Sequence, residues 1–366
     1  MPVLFGKNLS RQELQHFMAD PAQVAGVQRA TLREGRADGV DTILFRTGTG
    51  FEFTVTPSRA LDISRASYNG IPLYWHATPG SVHPAFFEPA GMGWMRGYAG
   101  GLLTTGGLSA MGSPSVDAGE ELGIHGRISY SPAHHVCTDA GWEGDRYLLE
   151  ARGTMAETTA LGPNLVLRRR IVSEMGASWL RIHDTVENRT HQPAPHMMLY
   201  HFNIGYPILS PDARLLVNAD EVVGRDAISQ AAIATRERFL PPAPDRPHQL
   251  YYYRPKPDSD GKAHIALIGR VDDQPFGVYL SYTQAVLPWF ANWKCMTAGD
   301  YVTGLEPANA WVEGRAVERA EGRLRTLNAW ETVHYDVEFG VLAGAEAVEA
   351  FTARHALDAR MPESQQ

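Results

Sequence analysis

Short runs of β-branched and aromatic residues recur along the whole chain, and turn-forming residues separate them. Residues 41–46, 51–55, 178–182 and 275–280 are examples of such runs. The 35 glycines and 24 prolines are spread between the runs instead of being pooled in one linker. This spacing of turn-forming residues is typical of many short strands joined by turns. No alternation of strands with helical segments appears. The pattern therefore predicts an all-β sandwich or barrel.

Helix signals are few and lie mostly near the two ends of the chain. Ser10 and Glu13 form a capping box, which predicts a short helix that Pro21 should stop. Residues 226–238 predict one or two helical turns, and residues 343–357 predict a terminal helix. We therefore divide the chain into an N-terminal extension with a short helix (1–25), a single β-sandwich domain (26–345) and a C-terminal tail (346–366).

Two segments read as long irregular loops, residues 81–101 and residues 241–261. Loops of this length in a compact domain are usually functional rims or disordered excursions. The first loop carries four aromatic residues, which favours the rim of a binding site. The second loop is dense in proline and charge, which favours a surface excursion. The aromatic residues of the first loop are Phe86, Phe87, Trp94 and Tyr98.

Charge and cysteine content exclude several classes of partner. The net charge is −8, and the densest basic run, residues 168–170, lies in an alternating strand-like stretch, so nucleic acid is not an expected partner. Cys137 and Cys295 are far apart and match no zinc or redox spacing. The N-terminus lacks the apolar core of a signal peptide, and no apolar run approaches the ~20 residues of a membrane helix. We expect a cytoplasmic protein without a membrane partner.

Two candidate segments carry arginine beside another polar residue. Arg59 and Asp62 follow a predicted strand. They could form a structural ion pair, or the N–H groups of the Arg59 guanidinium could donate to ligand hydroxyls. His125 and Arg127 flank Gly126, which lets the backbone approach a ligand closely. A lone histidine is more often structural than catalytic, and the adjacent glycine and arginine raise the odds of a site only moderately.

Two further segments place polar groups on strands that are otherwise built for burial. Strand alternation over residues 196–205 puts His201 and Asn203 on one face, beside Met197 and Leu199. Buried polar groups need partners, so this pair requires an internal network or a ligand. Glu306 ends an apolar strand just before Pro307, where burial should raise the pKa of its carboxyl toward neutrality.

His201 and Glu306 together provide what a two-sided proton transfer requires. A histidine can give a proton near neutral pH, and a glutamate with a raised pKa can take one. Ring-stacking surfaces for a ligand could come from four tryptophans, although core packing is the expected role for at least two of them. No zinc or iron site, phosphate loop, dinucleotide fingerprint or G-x-S-x-G motif appears, so neither metal nor cofactor is expected. The tryptophans are Trp75, Trp94, Trp289 and Trp293.

The order of these candidates resembles the aldose 1-epimerase (galactose mutarotase) superfamily. Arg59, His125-Gly126, His201-Phe202-Asn203 and a late Glu306 follow one another as that family's arginine, H-G, H-Y/F-N and glutamate do. Residues 57–63, 100–108, 125–127 and 305–307 are similar to a bacterial branch of uncharacterised aldose-epimerase-like proteins. The resemblance runs from about residue 48 to residue 342. It implies a large antiparallel β-supersandwich with few short helices and a cleft on its concave face.

The resemblance also implies roles for individual residues. His201 would be the general acid that protonates the ring oxygen of a pyranose, and Glu306 the general base that removes the anomeric hydroxyl proton. The ring would open to the aldehyde, rotate and reclose with the opposite anomeric configuration. His125 and Arg59 would hold sugar hydroxyls. The other candidates for sugar contacts are Arg127, Asn203, Trp293 and Asp62.

The chain departs from the galactose enzymes at two points. Arg127 stands where the second glycine after H-G is common, and it could reach an anionic substituent. The aspartate with which the galactose enzymes bind hydroxyls has no assigned equivalent, and Asp62 and Asp226 are the candidates. Galactose itself is therefore in doubt as the substrate, whereas the ring-opening chemistry is less affected.

The leading hypothesis is a mutarotase for an uncommon sugar or sugar acid, with a carbohydrate as its partner and a homodimer as a possible assembly. One alternative is a different sugar epimerase or a lyase on the same fold, which would move a proton on carbon instead of oxygen. The other alternative is a non-catalytic carbohydrate-binding or sensor protein. A matched acid and base favours an enzyme, because a binding protein does not need one.

Overall fold

A computed structural model describes residues 1–358 of the protein and confirms the predicted all-β class. The described residues contain 26 strands, most of them in two large antiparallel sheets. The first strands in chain order are β1 (Val3–Leu4), β2 (Lys7–Asn8), β3 (Gly26–Thr31), β4 (Asp41–Arg46), β5 (Phe51–Thr56), β6 (Asp62–Tyr68), β7 (Ile71–Pro72), β8 (Trp75–His76), β9 (Gly100–Gly101), β10 (Leu103–Leu108), β11 (Ser115–Asp117), β12 (Glu120–Leu122) and β13 (His134–Glu143). They are followed by β14 (Arg146–Thr158), β15 (Asn164–Glu174), β16 (Trp179–Asn188), β17 (Ala194–Gly205), β18 (Arg214–Val217), β19 (Ala219–Gly224), β20 (Gln249–Pro255), β21 (Lys262–Val271), β22 (Gln274–Thr283), β23 (Trp289–Thr297), β24 (Asp300–Ala308), β25 (Arg325–Leu327) and β26 (Thr332–Ala343).

The two large sheets form the layers of a sandwich. The larger, 12-stranded sheet has the order β19-β20-β23-β24-β17-β10-β6-β5-β4-β3, with β25 beside β17 and β7 beside β6. The 8-stranded sheet has the order β13-β14-β15-β16-β26-β22-β21-β18. Phe202 of the larger sheet stacks on Phe339 of the smaller one, with ring centroids 5.7 Å apart. Both sheets thus contribute to one shared hydrophobic core.

Strand β17 shows how alternation divides the larger sheet into a core face and an outer face. Met198, Tyr200 and Phe202 point into the core between the sheets. Met197 and Leu199 belong to a separate apolar cluster on the opposite face. The predicted alternation is therefore confirmed, and it carries the odd-numbered residues of β17 onto the outer face, where the candidate site lies.

The four α-helices of the described residues are short, with five to ten residues each. They are α1 (Arg11–Phe17), α2 (Ala227–Ala231), α3 (Arg315–Ala320) and α4 (Ala345–Arg354). The capping box is present: the Ser10 side chain accepts from the backbone N–H of Glu13, whose carboxylate accepts from the backbone N–H of Ser10. Helix α1 ends at Phe17, before Pro21. None of the described helices is long and apolar enough to cross a membrane.

Helix α4 packs against the smaller sheet. Strand β26 continues to Ala343, so helix α4 begins two residues later than the predicted terminal helix. Val348 of α4 is buried in an apolar cluster with Ile268 and Leu342. Residues 359–366 of the predicted tail lie outside the described residues.

A buried charged network joins the two sheets. Arg169, on β15, is fully buried and pairs with Asp184 at 2.7 Å and with Asp62, across the sandwich, at 3.1 Å. The Tyr200 hydroxyl donates to Asp184 at 2.7 Å, and the Thr105 hydroxyl donates to Asp62 at 2.6 Å. These partners compensate the cost of removing the charges from water. Asp62, predicted as a sugar contact, is thus engaged in the inter-sheet network.

Candidate active site

A cavity of about 250 Å³ opens on the outer face of the 12-stranded sheet. Three neighbouring strands of that sheet, β17, β23 and β24, supply His201, Trp293 and Glu306 to it. The remaining residues come from loops and from β20, and we call the whole the site cavity. Those residues are Met92, Trp94, Met95, Tyr98, Gly112, Ser113, Ile124, His125, Arg225, His248, Leu250 and Val312.

Strand register brings His201 and Glu306 together at the bottom of the site cavity. The pairing of β17 with β24 places Leu199 opposite Ala308 and Phe202 opposite Leu305, so His201 lies opposite Glu306. The imidazole Nε2 is 3.3 Å from the carboxyl Oε1, and both side chains are almost fully buried. Two titratable groups thus lie within reach of a single small ligand.

Gly304 makes room for this contact. It lies two residues before Glu306 on β24, on the same face of the sheet and opposite Asn203. A Cβ atom at position 304 would be 2.1 Å from Oε1 of Glu306 and 3.1 Å from Cε1 of His201. The Glu306 carboxyl folds back over this glycine, so a side chain here would displace the carboxyl from the histidine.

Burial sets the protonation of the pair. Removal from water raises the pKa of the Glu306 carboxyl to about 8. The positive charge of Arg225 lowers this pKa, but by less than burial raises it. Burial, with a smaller contribution from neighbouring His125, lowers the pKa of His201 to about 3. At neutral pH the pair therefore holds one proton and no net charge. The raised pKa predicted for Glu306 is confirmed, whereas the expected protonated His201 is not, because desolvation favours the neutral imidazole.

His125 completes the polar part of the site cavity from a strained backbone position. It has a φ of 56°, in the left-handed region that non-glycine residues seldom adopt, and Gly126 follows with a φ of 75°. Burial lowers the pKa of His125 to about 4, so this imidazole is also neutral near pH 7. Its ring centroid is 5.5 Å from that of His201. The turn thus points a second neutral imidazole at the acid–base pair.

Three buried polar atoms in the site cavity have no hydrogen-bond partner in the described chain. They are Nδ1 of His125, Nδ1 of His201 and Oε1 of Glu306. Unpaired buried polar groups are rare in folded proteins because each costs free energy. Three of them converging on one cavity indicate a site prepared for a polar ligand.

Aromatic side chains form the walls. Trp94 and Tyr98, from the predicted rim loop, stack on each other with centroids 4.6 Å apart, and Trp293 lies edge-on to His201 at 5.9 Å. The Tyr98 hydroxyl donates to Oδ1 of Asn203 at 2.5 Å. Asn203 is fully buried and absent from the cavity lining, so it positions Tyr98 instead of contacting a ligand directly.

Two predicted sugar contacts lie elsewhere. Arg59 is buried and lines a different cavity, with Nε donating to the Ser129 carbonyl at 2.5 Å and Nη1 donating to the carbonyls of Val82 and Gly97. Arg127 is exposed and lines a separate surface depression with Pro89 and neighbouring residues. Neither side chain lines the site cavity.

Two basic side chains of the site cavity, Arg225 and His248, were not predicted from the sequence. Arg225 precedes Asp226, which caps helix α2 through the backbone N–H of Ser229 and does not line the site cavity. His248 stands just before β20, inside the segment that composition assigned to a surface loop. Neither residue belongs to a motif, and only the three-dimensional arrangement places them beside His201.

One other cluster within residues 1–358 groups potential metal ligands, on the far sheet. Asp258, His264 and His355 have donor atoms within 4.8 Å of one another. The rings of His264 and His355 stack with centroids 3.6 Å apart, closer than two imidazoles bound to one tetrahedral ion can lie. The hydrogen bonds of His264 to Asp258 and Ser281, both 2.8 Å, account for this cluster without an ion.

Comparison with protein families gives a match over most of the chain. The family described as "Domain of unknown function (DUF4432)" matches residues 37–341. The chain belongs to this family. The matched span contains every residue of the site cavity, from Met92 to Val312. No functionally curated protein shows significant similarity to the chain.

Solved structures share the fold at low sequence identity. A proposed aldose 1-epimerase from Klebsiella pneumoniae covers 93% of this chain and 88% of its own, with a TM-score of 0.84 at 21% identity. A galactose mutarotase-like protein from Clostridium acetobutylicum covers 88% and 99%, with a TM-score of 0.63 at 13% identity. A galactose 1-epimerase from Lactobacillus acidophilus covers 88% and 100%, with a TM-score of 0.53 at 11% identity. This DUF4432 chain therefore has the galactose mutarotase-like β-sandwich fold.

Proposed function

We propose that the protein is an aldose 1-epimerase-like enzyme that interconverts the anomers of a sugar or sugar derivative. The observation that carries the proposal is the contact of His201 with Glu306, 3.3 Å apart at the buried end of an aromatic-walled cavity. The ring oxygen and the anomeric hydroxyl of a pyranose are bonded to the same carbon. Two proton-transferring groups that serve these two oxygens must therefore lie close together.

The reaction needs one proton in and one proton out, which a pair holding a single proton can provide. The protonated Glu306 gives its proton to the ring oxygen as the C1–O5 bond breaks, and the neutral imidazole of His201 takes the anomeric hydroxyl proton. Rotation about C1–C2 and the reverse transfers then close the ring as the other anomer and restore both groups. The opposite assignment, with His201 as acid and Glu306 as base, uses the same single proton. His125 is placed to hold a hydroxyl beside the pair.

Anomeric-exchange NMR over a panel of aldoses and sugar acids tests the proposal. Each proton transfer by a positioned group is worth roughly 10²–10⁴ in rate, so His201→Gln and Glu306→Gln should each lower the exchange rate by about that factor. The matched control is His183→Gln, because His183 is half-exposed on the 8-stranded sheet, far from the site cavity. This control should leave the rate unchanged.

Three results would contradict the proposal. Full exchange activity in both His201→Gln and Glu306→Gln would remove the pair from the chemistry. Saturable binding of a sugar by the unchanged protein, without any acceleration of exchange, would make the protein a carbohydrate-binding module. Deuterium incorporation from solvent at a carbon atom would instead assign the pair to an epimerase or lyase reaction.

A further inference from the structure

The charges around the site cavity are unevenly distributed. Glu306 is the only carboxylate among its lining residues in the described chain, and burial holds it protonated near neutral pH. Arg225 is the only arginine or lysine among them. The pKa of His248, beside it in the lining, is raised, chiefly by a hydrogen bond to the Cys295 side chain. Among the lining residues the Arg225 guanidinium is therefore the cationic group, and its ion-pair partner Glu313 lies outside the lining.

Arg225 is held in place by contacts that leave part of its guanidinium free. Nε and Nη2 are engaged with the Glu313 carboxylate, and Nη2 also donates to the Ser113 hydroxyl at 3.0 Å. Nη1 makes no hydrogen bond within the described residues. Glu313 also accepts from the Tyr252 hydroxyl at 2.5 Å, so its charge is shared between two donors. The arginine is thus fixed in advance, which lowers the entropy cost of binding a ligand.

Arg225 and the acid–base pair lie at different depths. His201 and Glu306 are almost completely buried, whereas 37% of the Arg225 side chain is exposed. The charge of Arg225 still reaches Glu306, whose pKa it lowers against the effect of burial. A sugar that places its anomeric carbon against the buried pair therefore extends its far end toward the guanidinium.

We propose that Arg225 selects an anionic aldose, one that carries a carboxylate or another acidic group at the end remote from the anomeric carbon. This inference rests on the proposed ring-opening function, because that function fixes which end of the sugar is buried. An acidic group would accept a charge-assisted hydrogen bond from the guanidinium, which is the geometry that arginine provides best. Arg225 takes the role that the sequence suggested for Arg127.

Binding of non-reacting ligands tests the inference separately from catalysis. The probes are 1,5-anhydro-hexuronates of gluco, galacto and manno configuration and the matching neutral 1,5-anhydro-hexitols, none of which has an anomeric hydroxyl. Titration calorimetry should show tighter binding of at least one acidic probe than of its neutral counterpart. Arg225→Met should weaken that acidic probe about 10- to 100-fold, as loss of a charge-assisted hydrogen bond does, and should change neutral binding little.

Arg254→Met is the matched control, because Arg254 is an exposed arginine of the same sheet edge that does not line the site cavity. It should bind both classes of probe as the unchanged protein does. Arg225→Lys should recover part of the acidic binding, and added salt should weaken it, since Arg225 is partly exposed. Probes with a 6-sulfonate or a 6-phosphate in place of the carboxylate then identify which anion is preferred.

The outcomes separate this inference from the proposed function. If acidic probes do not bind, or if Arg225→Met weakens acidic and neutral probes equally, the selection by Arg225 is wrong. If a hexuronate binds through Arg225 while its anomeric exchange is not accelerated, the proposed function fails and the anion site remains. Accelerated exchange of neutral sugars, with no dependence on Arg225, would retain the proposed function and overturn the inference.

Discussion

At the scale of single residues, desolvation governs the two groups proposed to move protons. Within residues 1–358, neither His201 nor Glu306 has an ion-pair partner other than the facing group, so burial shifts the pKa of each in favour of its neutral form. The pair carries one proton between the two shifted pKa values, about 3 and about 8. Below this range it gains a second proton, and above it the last proton is lost. A neutral couple of this kind is ready for transfer through the whole physiological range.

The pH dependence of activity follows from these shifts. As pH rises through about 8, Glu306 loses its proton, so kcat/KM for anomeric exchange should fall by roughly tenfold per pH unit above that value. Between pH 5 and 7 the rate should be level. Measurements of exchange rate against pH, corrected for buffer catalysis, check this. The pKa of His248 is also raised, so His248 is a second group that could cause a fall in rate at alkaline pH. A His248→Gln variant should still show the fall, because we assign it to Glu306. If the fall disappears in this variant, His248 causes it.

His201 and Glu306 can be predicted from the sequence as candidate residues, but the contact between their side chains cannot. Alternation along β17 shows from local pattern that His201 and Asn203 share a face. The 3.3 Å contact with Glu306 depends on the register between two strands separated by about a hundred residues, which no local pattern specifies. Arg225 and His248 were missed for the same reason, since each enters the site cavity from a connection whose path is set by tertiary packing.

At the scale of elements, the aromatic wall depends on the anchoring of the loop that carries it. Arg59 binds the carbonyls of Val82 and Gly97 at 3.1 and 3.2 Å, near the start and the end of this loop. It also lies 3.8 Å from the ring centre of Tyr130, whose hydroxyl donates to the carbonyl of Trp94. Arg59 therefore holds together the backbone behind Trp94 and Tyr98 without touching the site cavity.

Replacement of Arg59 should loosen this wall. Arg59→Met leaves several buried carbonyls without a charged donor, so the free energy of unfolding should fall by about 2–4 kcal/mol. Because the wall supports the substrate and the acid–base pair stays intact, KM should rise more than kcat falls. Urea unfolding and exchange kinetics measure the two effects. Arg96→Met, on the same loop but exposed, is the control; an equal loss of stability there would refute an anchoring role specific to Arg59.

Local signals predicted elements well where the chemistry is local. The capping box of α1 needs only Ser10 and Glu13, and it forms as expected. The segment 241–261 was assigned to the surface because of its prolines and charges, yet it contains β20. The run Tyr251–Tyr252–Tyr253 inside that segment is completely buried, and its strand-forming aromatic residues were the available signal. The average composition of residues 241–261 gave no sign of β20, because this strand has only seven residues.

At the scale of the whole molecule, the Arg169 network joins the two layers of the sandwich. Arg169 and Asp184 are fully buried. The Asp184 carboxylate also accepts a hydrogen bond from the hydroxyl of Tyr200, which belongs to the opposite sheet. Asp184→Asn would leave the guanidinium without its main counter-charge, so the free energy of unfolding should fall by about 3–5 kcal/mol. Asp336→Asn, whose carboxyl is exposed and bound to His183, should cost at most about 1 kcal/mol. Similar losses in both variants, measured by denaturant unfolding, would show that the network is not a main support.

The all-β class could be predicted from strand punctuation, and the supersandwich from the order of short motifs along the chain. The order of the strands in the sheets could not. Strand β26, close to the C-terminus, lies in the middle of the smaller sheet between β16 and β22, and this insertion leaves no trace in local hydrophobic pattern. Asp62 illustrates the same gap, because only the closure of the two layers brings it to Arg169.

The carboxyl group of Glu306 occupies the space that a methyl group on residue 304 would fill. For the proposed reaction, a change from catalyst to receptor would therefore require no replacement of either titrating residue. One added methyl group at position 304 would come within 2.1 Å of the carboxyl oxygen, so the carboxyl would have to leave its present position beside the imidazole. A family member that retains both residues but carries a bulkier amino acid there would resemble an enzyme by its motifs while acting only as a carbohydrate receptor. Divergence within the family should accordingly be judged at this glycine as well as at the histidine and the glutamate.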